Sequence, residues 1–504
     1  YNNKSSLLIY VKSVRMDVML RKKEHIYIYF FYLAVLLITW GGMLRNSFNA
    51  DTIYHMVSAD HDVLSRIECG RYLCGLIDWL LGLVGLSTTT HTGVTALLAI
   101  MIMAFSLLGI HNLYVQFISF QAIWEKAGYM LIIALTFVNV LTAELFMFGE
   151  FSFYFAMAYF LAVLGAGAFV RKQYIRAAVW IACSCMFYQT GVAFCAILIS
   201  AYIYFAHKGR INKKAILSEL LCVIMTFGIG FLNMISVQLL VRLGVAEAFG
   251  KSSASMRIWE NLSDLWRHYI SLLQSSKGLL PEVWLPLLYT AVIFLLFVYR
   301  QYKMKERQSV LYFLLLYLGM SLLMYGIPLV QPNFSAQPRM VVMFYLIQVL
   351  ITLILFSAAD HQIKRGIVYL AAGYLLIQVL FCHFIIADHF VSNKLDILYV
   401  NLMYEEVLRY EEETGITVDK LVVIKDVDAP FSYAEVSYKT DQINERALGQ
   451  VTHSLVRVVT GRKFEKTQMD PVIYEQYFER KNWDYFYLSE QLIIEEDTAY
   501  WIIF

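Results

Sequence analysis

Residues 177–206 read AAVWIACSCMFYQTGVAFCAILISAYIYFA, and this stretch decides how the whole chain is arranged. As a single helix it would extend roughly 45 Å at about 1.5 Å per residue, far beyond the ~30 Å hydrocarbon core of a bilayer. A single helix would also put the basic segments 171–176 and 207–214 on opposite sides of a membrane. Two short helices that turn near Tyr188 and Gln189 bring both segments to one side.

This hairpin makes the charge pattern of the whole chain consistent, because short cytoplasmic loops of membrane proteins are enriched in Lys and Arg. With the hairpin, the strongly basic loops fall on the same side as the basic N-terminal segment 1–25. Two arms this short must be buried among other helices or line a cavity. The apolar stretches lie at 26–44, 92–115, 128–147, 152–170, 177–206, 215–242, 283–299, 308–327, 340–359 and 366–387. We therefore predict an α-helical polytopic membrane protein with about eleven transmembrane helices.

Composition supports this class of protein and excludes others. Of the 504 residues, 59% are hydrophobic and 16% are charged, and the mean hydropathy is +0.57, which a water-soluble globular protein does not show. The first apolar stretch follows basic residues without a small-residue cleavage site, so we expect a retained signal anchor. The sequence contains no phosphate-binding glycine loop, nucleotide fingerprint or zinc-protease helix, which argues against an ATPase or a cytosolic nucleotide-sugar enzyme.

The predicted topology gives a transmembrane domain at 26–387 with substantial outer regions at 45–91, 243–282 and 328–339. Two of these regions contain amphipathic segments, LCGLIDWLLGLVGL and SASMRIWENLSDLWRHYISLLQ, that are typical of helices lying in the membrane interface. The segment 388–504 is more charged and combines alternating with helical patterns, which predicts a small extracytoplasmic α/β domain. Its aromatic residues suit either a domain core or a glycan-binding surface.

Acidic residues collect in the first outer region. Asp51 follows the first span by a few residues, so we expect it at the lipid–water boundary, where a carboxylate can take a proton from an acceptor hydroxyl. Asp60 and Asp62 flank His61, a combination of oxygen and imidazole ligands that suits a divalent metal such as Mg²⁺ or Mn²⁺. The alternative for both acids, which the pattern favours, is a solvated polar loop.

Two further acids, Glu144 and Glu150, lie at the outer end of a span and in the turn that follows it. A carboxylate inside or beside a span is costly unless it faces a cavity or a partner, so each of these glutamates is a candidate for function. The alternative for Glu144 is a structural ion pair. At the hairpin turn, Tyr188 and Gln189 can contact a sugar or satisfy the backbone of the turn.

Isolated arginines occur in outer regions that otherwise contain few bases. The planar guanidinium of arginine suits phosphate oxygens, and a position just before a span puts it at the depth of lipid headgroups. Arg339 has that position, and we expect either a phosphate contact or simple anchoring at the interface. The other outer arginines considered as phosphate ligands are Arg66 and Arg71.

Four short motifs in this order resemble the bacterial serotype-converting O-antigen glucosyltransferases, a family of polytopic GT-C class enzymes. The motifs are FNAD with a following Gly70-Arg71, GEFSFY with Glu150 and Tyr154, MFYQT with Tyr188 and Gln189, and QPRMVV with Pro338 and Arg339. They extend over residues 26–387. The chain departs from the family where Ala50 precedes Asp51, since the family often has two adjacent acids there.

The resemblance implies a GT-C-like fold in the bacterial cytoplasmic membrane and transfer of a sugar, typically glucose, from a polyprenyl-phosphate carrier to a surface polysaccharide. It places the active site on the outer face, with an acid of the first outer loop as the catalytic residue, which we assign to Asp51. We assign the donor phosphate to Arg339, Arg71 and Arg66. We assign the sugar and acceptor pocket to Glu144, Glu150, Tyr154, Tyr188 and Gln189.

Two alternatives remain open at this point. A surface polysaccharide polymerase also uses a lipid-linked substrate and outer arginines, but it extends chains instead of decorating them. A flippase or sugar-lipid transporter would need charged residues deep inside spans and internal pseudo-symmetry, and the sequence has few of the first and no evident sign of the second. For the transferase, a divalent metal near Asp60 and Asp62 is possible, but the arginines alone can meet the phosphate.

Overall fold

A computed structural model describes residues 23–58, 62–245, 258–331, 334–425, 443, 446–481 and 487–503. Among these residues helices dominate, and the strands occur in the C-terminal region. The helices as far as the C-terminal region are α1 (Lys23–Leu44), α2 (Ala50–Val57), α3 (Asp62–Glu68), α4 (Tyr72–Leu83), α5 (Thr92–Tyr114), α6 (Ile123–Ala134), α7 (Ala143–Met147), α8 (Ser152–Val170), α9 (Tyr174–Phe187), α10 (Thr190–Ala206), α11 (Lys213–Arg242), α12 (Ile258–Ser275), α13 (Leu285–Met304), α14 (Arg307–Met324), α15 (Gly326–Val330), α16 (Met343–Ala358) and α17 (His361–Thr414).

Seven of the described helices are long and apolar enough to cross a membrane, namely α1, α5, α8, α11, α13, α14 and α17. The apolar helices α4, α9, α10 and α16 are shorter. The chain is thus a polytopic helical membrane protein, while the count of eleven spans stays a prediction. Within the described residues, the two predicted interfacial segments contain helices α4 and α12.

The 177–206 stretch is broken as predicted. Helix α9 ends before Tyr188, whose backbone is extended (φ −158°, ψ 124°), and α10 begins two residues later. The two arms return to the same end of the bundle, because Ile181 of α9 and Cys195 of α10 both pack against Gly165 of α8. Nearly every residue of α10 is buried, so neighbouring helices enclose this short arm, as a helix too short to span alone requires.

The basic loops meet at one end of the bundle. Glu125 at the start of α6 contacts Lys364 and His361 at the start of α17, and Tyr204 near the end of α10 hydrogen-bonds Ser309 at the start of α14. We call this end, formed by segments 114–126, 171–174, 206–213, 304–309 and 358–365, the basic end. We call the opposite end of the bundle, which carries α2, α4 and the α7–α8 turn, the site end.

The third predicted span, 128–147, is not one continuous helix. Helix α6 stops at Ala134, and the chain continues through a 3₁₀ turn at Val140–Thr142 into α7. Asn139 permits this break, because its side chain donates to the carbonyls of Leu135 and Thr136 and accepts from the backbone N–H of Thr142. These bonds replace those that the interrupted helix loses. The single amide in an apolar run thus sets the position of α7.

The C-terminal region combines helices with a four-stranded sheet in the order β2-β1-β4-β3. The parallel neighbours of β1 are β2 and β4, and β3 is antiparallel to β4. Helix α17 has 54 residues and runs without interruption through position 388, so no linker separates the transmembrane bundle from this region. The elements are β1 (Lys420–Lys425), α18 (Ala447–Gln450), α19 (Thr452–Thr460), β2 (Glu465–Lys466), α20 (Pro471–Tyr477), α21 (Leu488–Gln491), β3 (Leu492–Glu495) and β4 (Thr498–Ile503).

Candidate active site

Asp51 lies in the first turn of α2 at the site end and is half-buried. Asn49 forms a capping box with Thr52, which satisfies the free backbone N–H groups at the start of this short helix. The amide group of Asn49 also donates to the carbonyl of Met147 at 2.5 Å, which fixes the start of α2 against α7. The position of Asp51 is therefore defined by contacts on both sides of it along the chain.

Glu150 lies in the turn between α7 and α8, fully buried behind α2. The Thr52 hydroxyl donates to its Oε2 at 2.6 Å. Its Oε1 is buried and has no hydrogen-bond partner among the described residues. Burial raises the pKa of Glu150 above its ordinary value, and the nearby charge of Asp51 adds to this, although Thr52 and His55 oppose it. A neutral carboxyl group with a free oxygen can donate a hydrogen bond to a ligand.

Glu144 and Arg339 form a buried ion pair. The Arg339 Nη1 and its backbone N–H each donate to the Glu144 carboxylate at 2.7 Å, and Glu144 is fully buried. The guanidinium lies 4.5 Å over the ring of Phe148 and also hydrogen-bonds the side chain of Tyr188. The charge of Arg339 is therefore compensated within the protein, in agreement with the structural alternative considered for Glu144.

Arg66 belongs to a second polar network. Its Nε donates to Asp78 of α4 at 3.3 Å, and its Nη1 lies 3.4 Å from Nε2 of His55. The Tyr154 hydroxyl donates to the other oxygen of Asp78. The guanidinium stacks 3.8 Å above Phe151, and only 4% of the side chain is exposed. Asp78 therefore compensates Arg66 as Glu144 compensates Arg339.

Arg71 differs from the other two arginines because it has no acidic partner among the described residues. Its guanidinium faces the rings of Phe151 at 5.2 Å and Tyr188 at 5.3 Å, and its Nε is buried without a hydrogen-bond partner. Gln189 holds the adjoining turn by donating to the carbonyl of Cys69 at 2.5 Å. An uncompensated, half-buried cation is the feature that an anionic ligand requires.

One family model, described as Glucosyl transferase GtrII, matches residues 40–356. The chain belongs to this family. The match covers the first outer region, the hairpin and the Pro338-Arg339 segment, so it includes every group described above. No curated protein and no solved structure matches the chain. As a GtrII member, the protein is a membrane glycosyltransferase of the glucosyl transferase kind that acts in O-antigen modification.

Nine of the eleven residues predicted for the site of this GtrII protein lie together at the site end. Most of their side chains are connected by hydrogen bonds, ion pairs or ring contacts, and Asp51 is adjacent in the chain to Thr52, which binds Glu150. Their individual roles stay predictions. The predicted metal site lies outside the described part of the chain, since Asp60 and the side chain of Asp62 are not among the described residues. Among the described residues, no group of three or more His, Cys, Asp or Glu could hold a metal ion. The residues brought together are Asp51, Arg66, Arg71, Glu144, Glu150, Tyr154, Tyr188, Gln189 and Arg339.

Three polar residues of this cluster were missed by the sequence analysis: Thr52, His55 and Asp78. Asp78 carried a usable signal, because it is a lone acid in the apolar segment LIDWLL, where an unpaired charge is costly. Thr52 and His55 carried no comparable signal. Their importance depends on contacts with Glu150 and Arg66, which are distant in sequence or on another element.

Proposed function

We propose that the enzyme transfers glucose from a polyprenyl-phosphate carrier to a cell-surface polysaccharide, at the outer face of the bacterial cytoplasmic membrane. The observation that carries this proposal is Arg71, a cation without an acidic partner among the described residues, at the same end of the bundle as Asp51. The basic end lies opposite, and basic loops mark the cytoplasmic side. This arrangement supports an anionic donor bound from the outer leaflet.

Helix α4 supports a site at the depth of lipid headgroups. Its Asp78 faces Arg66 and Tyr154 within the cluster. On its other side, Trp79 and Leu83 are more than half exposed. Exposed apolar side chains of this kind are expected where a helix contacts lipid. A helix with one side in the site and the other in the bilayer interface brings the carrier phosphate close to the catalytic groups.

The reaction proposed is a single displacement. Asp51, as carboxylate, accepts the proton of an acceptor hydroxyl, and that oxygen forms a bond to the anomeric carbon of the donor sugar. The bond between this carbon and the phosphate oxygen breaks, and the carrier phosphate leaves with the electron pair. Positive charge placed where negative charge develops lowers the barrier, by about 3–4 kcal/mol for one well-placed donor in known cases. Arg71 is the residue proposed to supply it.

Arg339 and Arg66 would support the phosphate from a second layer, since each already has an acidic partner. Glu150 and Tyr188 are proposed to contact the sugar. Glu144, Tyr154 and Gln189 would hold these groups in place, because their polar atoms are engaged within the protein. A Mg²⁺ or Mn²⁺ ion held by Asp60 and Asp62 stays a prediction.

Replacement of Asp51 by Asn tests the proposal. The purified protein in lipid discs receives polyprenyl-phosphate glucose with a labelled sugar and an O-antigen acceptor. Asp51→Asn should lower transfer by at least about 10²-fold, because the amide cannot accept the proton, and should leave carrier binding within about twofold. Unchanged turnover would remove Asp51 from the reaction.

The product separates the alternative functions in the same experiment. A single added hexose per acceptor unit supports the transferase, whereas longer chains on a gel would indicate a polymerase. Movement of labelled carrier across vesicles without any glycosidic product would indicate a transporter.

A further inference from the structure

We propose that the C-terminal region 388–504, called the C-terminal domain from here on, positions the Asp51 helix α2 for catalysis. Asn393 of α17 is the positioning residue. This inference rests on the proposed role of Asp51. Helix α2 has eight residues, and isolated helices of fewer than about 12–15 residues are marginal in water. Its conformation must therefore come from the surfaces against which it packs.

Asn393 holds the backbone just before α2. Its Oδ1 accepts from the N–H of Phe48 at 2.9 Å, and its Nδ2 donates to the carbonyl of Phe48 at 2.8 Å. The side-chain amide thus satisfies both polar groups of one peptide residue, as a neighbouring β-strand would. Phe48 lies three residues before Asp51, so this pair of bonds fixes where α2 begins. Asn393 lies six residues beyond the last predicted span, in the part of α17 that leads into the C-terminal domain.

Ile53 connects α2 to the core of the C-terminal domain. Its side chain is 1% exposed and belongs to the same hydrophobic cluster as Val400 and Met403 of α17 and Leu455 of α19. This cluster is separate from the large core of the transmembrane bundle. Phe48 and Met56, on either side of Ile53 in sequence, also pack against it. Helix α2 is therefore built into the C-terminal domain although it belongs to the first outer region.

The opposite side of α2 is bound to the bundle. Thr52 donates to Glu150, and Asn49 donates to Met147. Asp51 thus lies between residues that are held from two sides. The C-terminal domain holds Phe48 and Ile53, and the bundle holds Asn49 and Thr52. Loosening the C-terminal attachment should displace the carboxylate relative to Arg71, which the bundle holds independently through Phe151 and Tyr188.

Asn393→Ala should therefore lower kcat by about 10- to 100-fold, since a displacement near 1 Å is known to cost about 10²-fold. The KM for the lipid donor should stay within about twofold, because the arginines that would meet the phosphate are not disturbed. Ile53→Ala should act in the same direction through a different contact, and Ile53→Val should have a smaller effect. These graded variants keep the test decisive if one of them folds poorly.

Ile473→Ala is the matched control. Ile473 is also a buried residue of the C-terminal domain, but it belongs to a separate small cluster with Phe478 and Ile502. It should lower the thermal stability of the domain without the loss of kcat. An equal loss of kcat in Ile473→Ala and Asn393→Ala would show that general destabilisation is responsible, and would overturn the proposal.

Hydrogen exchange gives a readout that does not depend on activity. Amide exchange in segment 48–57 should rise in Asn393→Ala and Ile53→Ala relative to the parent chain, and should be unchanged in Ile473→Ala. Unchanged exchange there, or an unchanged kcat while Asp51→Asn is inactive, would refute positioning by the C-terminal domain. Full activity of Asp51→Asn would instead refute the proposed function, whatever the exchange shows.

Discussion

Two fully buried glutamates lie at opposite ends of the bundle, and their surroundings differ. At the basic end, Glu125 has both oxygens engaged: Oε1 contacts His361 Nδ1 at 3.0 Å, and Oε2 accepts from Lys364 Nζ at 3.2 Å and from the backbone of Gln121 at 2.9 Å. At the site end, Glu150 has one partner, Thr52, and one free oxygen among the described residues. Neither side chain is exposed to solvent, although Glu150 lies deeper in the protein than Glu125. Hydrogen bonding is complete for Glu125 and incomplete for Glu150.

From this difference we predict a structural role for Glu125 and a functional one for Glu150. A buried polar group without a protein partner costs free energy unless a water molecule, a ligand or the reaction supplies the partner. The same distinction applies to the arginines, since Arg66 and Arg339 have acidic partners and Arg71 has none among the described residues. Saturated groups should therefore affect stability when mutated, and unsaturated groups should affect activity.

The largest expected effect is on stability, from Glu125→Ala. The change leaves Lys364, of which only 6% of the side chain is exposed, as a buried charge without its carboxylate. Breaking a buried pair in this way costs about 3–5 kcal/mol in the free energy of unfolding. Thermal unfolding in detergent measures the loss, while kcat of the folded fraction should be unchanged.

Glu24→Ala is the control for this prediction. Glu24 pairs with Lys126 at the same end of the bundle, but its side chain is 49% exposed. Exposed pairs contribute about 0–1 kcal/mol, so this variant should unfold close to the parent temperature. If the two variants lost equal stability, complete hydrogen bonding of a buried carboxylate would not be what stabilises the basic end.

The next largest effect is on activity, from Arg71→Ala. Removing an uncompensated cation should lower kcat by about 10²–10³-fold, the range measured when one group that stabilises developing charge is lost. It should change the unfolding temperature little, because no acid is left unpaired. Arg66→Ala provides the contrast. It leaves Asp78 without its basic partner, and so should lower stability as well as transfer. A large loss of stability in Arg71→Ala would contradict the prediction that groups without a partner affect activity and not stability.

The sequence was a good guide to the bundle because its decisive signals are collective. Loop charges along the whole chain required a break near Tyr188, and α9 and α10 meet there. The prediction failed where one residue decides the local structure. Asn139 is the one amide side chain in a mainly apolar run, and periodicity cannot show that this side chain caps a helix break.

The candidate site was predicted as a set of residues but not as a set of contacts. Residue type and depth in the membrane pointed to Glu144 and Arg339 separately, yet their pairing joins positions 195 residues apart in sequence. Asn393 was not predicted at all, because an amide in a charged helical segment has no pattern of its own. Which polar groups remain unsaturated depends on tertiary contacts, and that property distinguishes Arg71 from the other arginines.

The smallest effect is expected from Glu150→Gln, and it concerns pH. Since burial raises the pKa of Glu150 above its ordinary 4.5, the folded protein favours the neutral form. The stability that Glu150 contributes is therefore fully present below about pH 4.5 and is lost as the pH rises through the raised pKa. Glutamine stays neutral, so the parent chain should lose unfolding temperature relative to Glu150→Gln as the pH rises from 4.5.

Transfer measured at neutral pH completes this prediction. If Glu150 acts as a neutral hydrogen-bond donor, the glutamine amide replaces it, and kcat should change by no more than about threefold, or about 0.65 kcal/mol. Glu412→Gln, on an exposed position of α17, controls for loss of a carboxyl group at the surface and should alter neither curve. A loss of transfer similar to that of Asp51→Asn would mean that Glu150 works as a carboxylate, and its free oxygen would then be a proton acceptor in the reaction.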